Sequence, residues 1–205
     1  MGYPAFFDRI EPLRLHDPLA EILGSFVDGI VEIHYLDVVR LAGHSCPTVA
    51  GAYLMAKKGL EALYGEKTMP ERGDIAVEMQ QGIGEGVTGV VANVLSYITG
   101  ATDQGGFHGL AGRFDRRNLL TFGHAGTASV SLIRRDTGRR LSMTYDPSVV
   151  PVDPAMERLF PRVLAGKADA DEALRFGILW QRRVEAILCE YADDPWLLVL
   201  QAEQM

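Results

Sequence analysis

The stretch "TASVSLIRRDTGRRLSMTY", residues 127–145, places the tightest limit on the fold. Ala128, Val130 and Leu132 alternate with other residues on one arm, and Leu141, Met143 and Tyr145 do so on the other, around a "DTG" turn. Successive side chains of an extended chain point to opposite faces, so this pattern predicts a hairpin with one buried face. The remainder is mostly helical in period. Residues 17–42 carry Leu19, Ile22, Leu23, Phe26, Ile30, Val31, Leu36, Val38, Val39 and Leu41 at spacings closer to a helical stripe than to alternation, which predicts two short helices. Gly43 then closes one segment and Pro47 opens the next, predicting a central helix over 47–64 in which Gly51 and several alanines let another backbone approach. Residues 73–81, "GDIAVEMQQ", predict a buried strand, 82–89 a glycine-dense loop, and "VVANVLSYITGAT" a buried helix stopped by Gly100. From Pro154 the chain reads as helical, first to Gly166 and then from a cap at Asp169 or Asp171.

With 205 residues, 47% of them apolar, the chain can bury the core of one domain. A net charge of −7 opposes binding to phosphate backbones, so nucleic acid is set aside. The N-terminus lacks a basic region followed by an apolar run, and no apolar stretch reaches the 18 or so residues of a membrane span, so no membrane association is expected. Two cysteines, Cys46 and Cys189, cannot build a disulfide scaffold or a four-cysteine zinc site, and the expected setting is a reducing cytoplasm.

The chemistry concentrates in "GHSCP", residues 43–47. With Pro47 at the first helical position, Cys46 falls at the N-cap, where unpaired N–H groups and the helix dipole favour a thiolate. His44, two residues upstream, can turn its imidazole to the same side, and sulfur plus imidazole favours zinc, with iron second. The alternative is a small buried cysteine beside a loop histidine.

"AGHSCPTVAGAYLMAKKGLEAL" resembles the opening segment of the FmdE family, proteins akin to a component of formylmethanofuran dehydrogenase. "ANVLSYITGAT", "NLLTF" and "TASVSLIRRDTGRRL" resemble that family's later segments in the same order, and "VLAGKADADEALRF" its helical tail. The resemblance covers about residues 35–190. It implies an α+β fold with helices packed on a mainly antiparallel sheet, a core over about 35–150, a helical C-terminal extension over about 154–192, one domain spanning 1–205, and a homodimer. It also implies a metal site that uses His44 and Cys46. Two family ligands are missing, because Ala42 stands for the first histidine and Ala101 for a later cysteine, and Asn93 stands near an expected acid.

A tetrahedral zinc therefore needs another ligand. His108 in "GGFHGLAG" is the choice, because its glycines let the 103–112 loop fold over a site; His124, His34 and Glu78 are alternatives. His124 also reads as structural, His34 as a packing residue, His16 as a cap or solvent residue, and Cys189 as helical core packing. The sequence thus predicts a divalent metal protein, with zinc held by His44, Cys46 and His108. If it is an enzyme, it acts on a small molecule with Cys46 and His44 catalytic, and a metal-free version has Cys46 as nucleophile and His44 as base. One alternative is an accessory or metal-delivery protein for a molybdenum or tungsten oxidoreductase partner. Another is a nucleotide-binding protein using "GEGVTG", 84–89, which fits G-x-G-x-x-G, although Glu85 is unfavourable beside phosphate. The basic runs "RFDRR" (113–117) and "RRDTGRR" (134–140) could contact an anionic ligand but read chiefly as surface decoration.

Overall fold

The computed structural model describes residues 2–203. A five-stranded sheet forms the frame, in the order β4 (Leu120–Thr121), β3 (Ile75–Met79), β5 (Val130–Arg134), β6 (Arg140–Tyr145) and β7 (Leu198–Glu203). All neighbours run antiparallel except β3 and β4. The mixed helix and mainly antiparallel strand content is the expected α+β class.

The sheet's two faces differ as the alternation requires. Ile75, Val77 and Met79, Val130 and Leu132, and Leu141 and Met143 are buried beneath α3 (Pro47–Tyr64) and α4 (Thr88–Thr99). Helix α3 starts where Cys46, in extended conformation, accepts the Val49 N–H at 3.4 Å, and Pro47 occupies the first turn. It lies close on the strands because Gly51 and Gly59 carry no Cβ. A methyl on Gly51 would overlap the Tyr145 ring, and one on Gly59 would meet Leu132 and Met143. Helix α4 ends at Gly100, whose φ of 74° is left-handed. On the opposite face, Arg140 donates to both Glu78 carboxylate oxygens, at 2.6 and 3.0 Å.

Two strands depart from the sequence reading. Ile30–Ile33, expected within a helical stripe, is strand β2, paired antiparallel with β1 (Leu13–His16). The α-helices of this region are α1 (Pro18–Ile22) and α2 (Tyr35–Ala42), with a 3-10 turn at Val27–Gly29. Strand β7 was not expected either; it returns to pair with β6 after α5 (Pro154–Leu164) and α6 (Ala170–Glu185). Asp169 caps α6 as expected, sharing reciprocal bonds with Glu172. Among the described residues no helix is long and apolar enough to cross a membrane.

The small β1–β2 ribbon docks against the entrance to β3. His16 N–H donates to Pro70 O at 2.9 Å, Arg72 N–H to His16 O at 2.8 Å, and Gly73 N–H to Thr99 O at 2.7 Å. These backbone bonds gather the end of β1, the segment before β3 and the end of α4 at one corner.

Candidate functional site

At the start of α3 the sulfur sits at the expected N-cap but under cover. Cys46 is 8% exposed. Tyr35 Oη lies 3.0 Å from Ser45 Oγ, Tyr145 donates to Pro47 O at 2.9 Å, and from α6 Trp180 Nε1 and Gln181 Nε2 both donate to Ser45 O, at 2.9 and 3.2 Å. Burial pushes the Tyr35 and Tyr145 hydroxyl pKa values well up, and a charge on Cys46 would push them further. His44 is exposed, with Nδ1 3.0 Å from Ala42 O.

His108 lies exposed in the 103–112 loop, near enough to Asp115 for its charge to act on that carboxylate. Among the described residues no three His, Cys, Asp or Glu side chains gather as a metal-holding group, so His44, Cys46 and His108 are not assembled into one. A zinc centre takes at least three protein ligands, and the donors of one chain do not fit it here.

The other candidates have identifiable work. His124 Nε2 is 2.7 Å from Thr121 Oγ1, and its Nδ1 is 3.5 Å from Glu78, which Arg140 already holds. The Arg140 guanidinium, first, and then its charge and that of His124 keep the Glu78 carboxyl below its ordinary pKa despite burial. His34 is not a packing residue: it stands exposed at the N-cap of α2, 3.1 Å from Glu32. Cys189 is not core packing either, because the turn of π-helix at Ala186–Glu190 carries it outward. In the glycine loop, Glu85 turns its own carboxylate onto the Gly82 N–H at 2.9 Å. A phosphate would have to displace that carboxylate, although β3, α4 and β4 do form one parallel crossover around the loop.

A second constellation lies at the corner described above, and sequence reasoning missed it. Arg116, from "RFDRR", is not surface decoration: it is 6% exposed. Its N–H donates to Phe107 O at 2.9 Å, and its carbonyl accepts from Thr102 N–H at 3.1 Å and Thr102 Oγ1 at 2.6 Å, which points the residue inward. The guanidinium fits because Gly73 and Gly100 flank it. A Cβ on Gly73 would crowd Nε, and a Cβ on Gly100 would collide with Nη1. Arg116 Nη2 donates to Asp17 Oδ1 at 2.8 Å, and Arg72 Nη1 to Asp17 Oδ2 at 2.8 Å. Asp17, 3% exposed, also caps α1 through the Leu19 and Ala20 N–H groups.

Inside the cleft two cations face one anion, and the Glu71 carboxylate acts on Arg116 from outside it. Two guanidinium groups share one carboxylate, and Asp17 accepts from four donors, three of them on Oδ1. Arg72 has further acceptors in Ile98 O and Tyr97 O. Among the described residues Arg116 Nε and Nη1 have no acceptor, and an arginine stays charged at any physiological pH. Burial would raise the Asp17 pKa, but Arg72, the Ala20 N–H and Arg116 outweigh it and hold the carboxyl below its usual range. A cleft of about 420 Å³ opens over this floor, walled by Leu23, Phe26, Tyr97 and Phe107. The 103–112 loop, expected to roof His44 and Cys46, instead lends Phe107 to this cleft.

Residues 41–195 match the family model described as "FmdE, Molybdenum formylmethanofuran dehydrogenase operon". The chain belongs to the FmdE family. No curated protein gives a match. Within this FmdE chain the matched stretch carries the start of α3 together with Arg72, Phe107 and Arg116, whereas Asp17, Leu23 and Phe26 precede it. The cleft is thus built jointly by the family core and the N-terminal ribbon. Its sequence signal was faint: a cap at Asp17, two glycines at Gly73 and Gly100, and one arginine within a basic run.

Proposed function

We propose that this FmdE protein binds a small anionic molecule in the cleft over Asp17, Arg72 and Arg116. The family description associates the chain with the molybdenum formylmethanofuran dehydrogenase operon, and an accessory role there accords with binding of this kind. One observation carries the reading: an arginine that is almost wholly buried, held by Asp17 through Nη2, with Nη1 open beside Gly100 at the floor of an open cleft. The open nitrogens of Arg116 reach the solvent, and a hydrogen bond from a charged donor contributes about 1.5–3 kcal/mol, so an anion in the cleft gains by accepting from it. Asp17 fixes both arginines before any ligand arrives, which lowers the ordering cost of binding. The test is thermal unfolding with sodium phosphate, acetate and phenylacetate, each against sodium chloride of equal ionic strength. Stabilisation of the wild type by at least one of them, absent in Arg116→Gln, is expected. No stabilisation beyond chloride by any of the three overturns the reading.

A metal reading retains one favouring observation. The Ala42 carbonyl beside His44 Nδ1 fixes the ring and turns Nε2 outward, an arrangement common in metal-bound histidines. In that reading His44 and Cys46 hold a divalent ion, zinc first, with a donor from a second copy completing the set. Metal content that is equal in wild type, His44→Ala and Cys46→Ser removes it.

The homodimer belongs to the same proposal. Leu174 and Ile178 of α6 are exposed and line an apolar cleft of about 720 Å³ against the turn of Ala5–Arg9. Helix α6 is acidic in its first turn, at Asp171 and Glu172, and basic in its last, at Arg182 and Arg183. Antiparallel pairing with a second copy sets opposite charges side by side while covering both apolar residues.

A further inference from the structure

We infer that the occupant of the arginine cleft is a monocarboxylate carrying a flat apolar body; this rests on the anion-binding reading above. The charge count gives the first half. Among the residues lining the cleft, Arg72 and Arg116 are cationic and Asp17 is anionic, a surplus of one positive charge within the cleft, which Glu71 offsets in part from outside it. One negative charge completes that set. A dianion brings a second charge within reach of the Asp17 carboxylate and of apolar walls that cannot solvate it, and desolvating an uncompensated charge is costly. The donor available also suits a single carboxylate. Arg116 Nη1 stands against Gly100, which lines the cleft, and donates to no oxygen of Asp17.

The walls give the second half. Phe26 is 50% exposed and Phe107 43% exposed, with Leu23 and Tyr97 beside them, around a floor that is charged and buried. Aromatic side chains left bare at the mouth of a charged pocket gain from a ligand body that covers them, and rings stack best on other flat groups. An inorganic oxyanion satisfies the arginine and leaves those faces wet. A neutral aromatic does the reverse. Only a molecule with one carboxylate at one end and a ring or planar chain at the other uses both.

Isothermal titration calorimetry at fixed ionic strength separates these cases with phenylacetate, acetate, phosphate, molybdate and benzyl alcohol as probes. Phenylacetate is expected to bind at least about ten-fold more tightly than each of the others, the scale set by matching both an apolar pocket and a buried charge. Phe107→Ser, a change at an exposed loop position that leaves the arginine floor untouched, is expected to weaken phenylacetate by about ten-fold and to leave acetate unchanged. Arg116→Gln is expected to abolish the preference for phenylacetate over benzyl alcohol. Phosphate or molybdate binding as tightly as phenylacetate overturns the monocarboxylate inference while leaving the anion site standing. Benzyl alcohol matching phenylacetate in the wild type overturns the role of the charge. Binding of none of the anions overturns the inference and the site together.

Discussion

Trp180 donates its indole N–H to the carbonyl of Ser45 at 2.9 Å, so a residue of the C-terminal helix closes over the turn that begins α3. The ring is held in place by Phe160 and Phe176, whose centroids lie 6.2 and 5.6 Å away. Cys46 is therefore shielded, whereas Cys189 is exposed. In the native protein one thiol is expected to react quickly with a maleimide and one slowly. Trp180→Ala is expected to speed the slow one, assigned to Cys46 in a Cys189→Ser background. Two fast thiols in the wild type contradict the shielding.

Helix α3 approaches the sheet at two glycines that meet different neighbours. A methyl on Gly51 runs into the rigid ring of Tyr145, which is pinned by its bond to Pro47 O, while one on Gly59 meets the flexible ends of Leu132 and Met143. Gly51→Ala is expected to destabilise by about 1–3 kcal/mol through overpacking, and Gly59→Ala by less, because helix propensity offsets part of the strain. Urea denaturation checks the order, and equal losses contradict it.

Asp17 links stability to acid. Its folded pKa is depressed, so its contribution is present above the ordinary unfolded value near 3.9 and is lost as pH falls through the folded value. Asp17→Asn is expected to cost about 3–5 kcal/mol at pH 7, since two guanidinium groups lose their shared anion. The difference between the two proteins is expected to shrink steadily below about pH 4. Urea midpoints from pH 7 down to 3 test this, and parallel curves contradict it.

Pairing through α6 makes a mass prediction. Light scattering on the wild type is expected to give twice the chain mass, and Leu174→Glu with Ile178→Glu the single mass with little change in thermal unfolding. A wild type that stays at the single mass at high concentration removes the proposed interface.

The parts of the fold legible in the sequence were those fixed by local chemistry. Gly43, Pro47 and Gly100 mark the end of α2, the start of α3 and the end of α4, because left-handed backbone and a missing N–H each admit few residue types. The strands β5 and β6 were legible from alternation around "DTG". Strand β2 was not, since Ile30, Val31 and Ile33 in a four-residue run fit either period, and the decision comes from pairing with β1. Strand β7 depends likewise on β6, far earlier in the chain. At the candidate site, the N-cap position of Cys46 followed from Pro47 alone, but its covering by Tyr35, Tyr145 and Trp180 is tertiary. Arg116 was illegible for the same reason: what makes it a buried cation is contact with Asp17, Gly73 and Gly100, at distant points in the sequence.

The anion cleft is tested most directly by diffraction from crystals soaked in 4-bromophenylacetate, with the anomalous signal recorded at the bromine edge. The expected map has one bromine peak between Phe26 and Phe107 and carboxylate density within hydrogen-bonding reach of Arg116. A bromine peak elsewhere on the molecule, or an empty cleft at a concentration that saturates the protein in solution, contradicts the account.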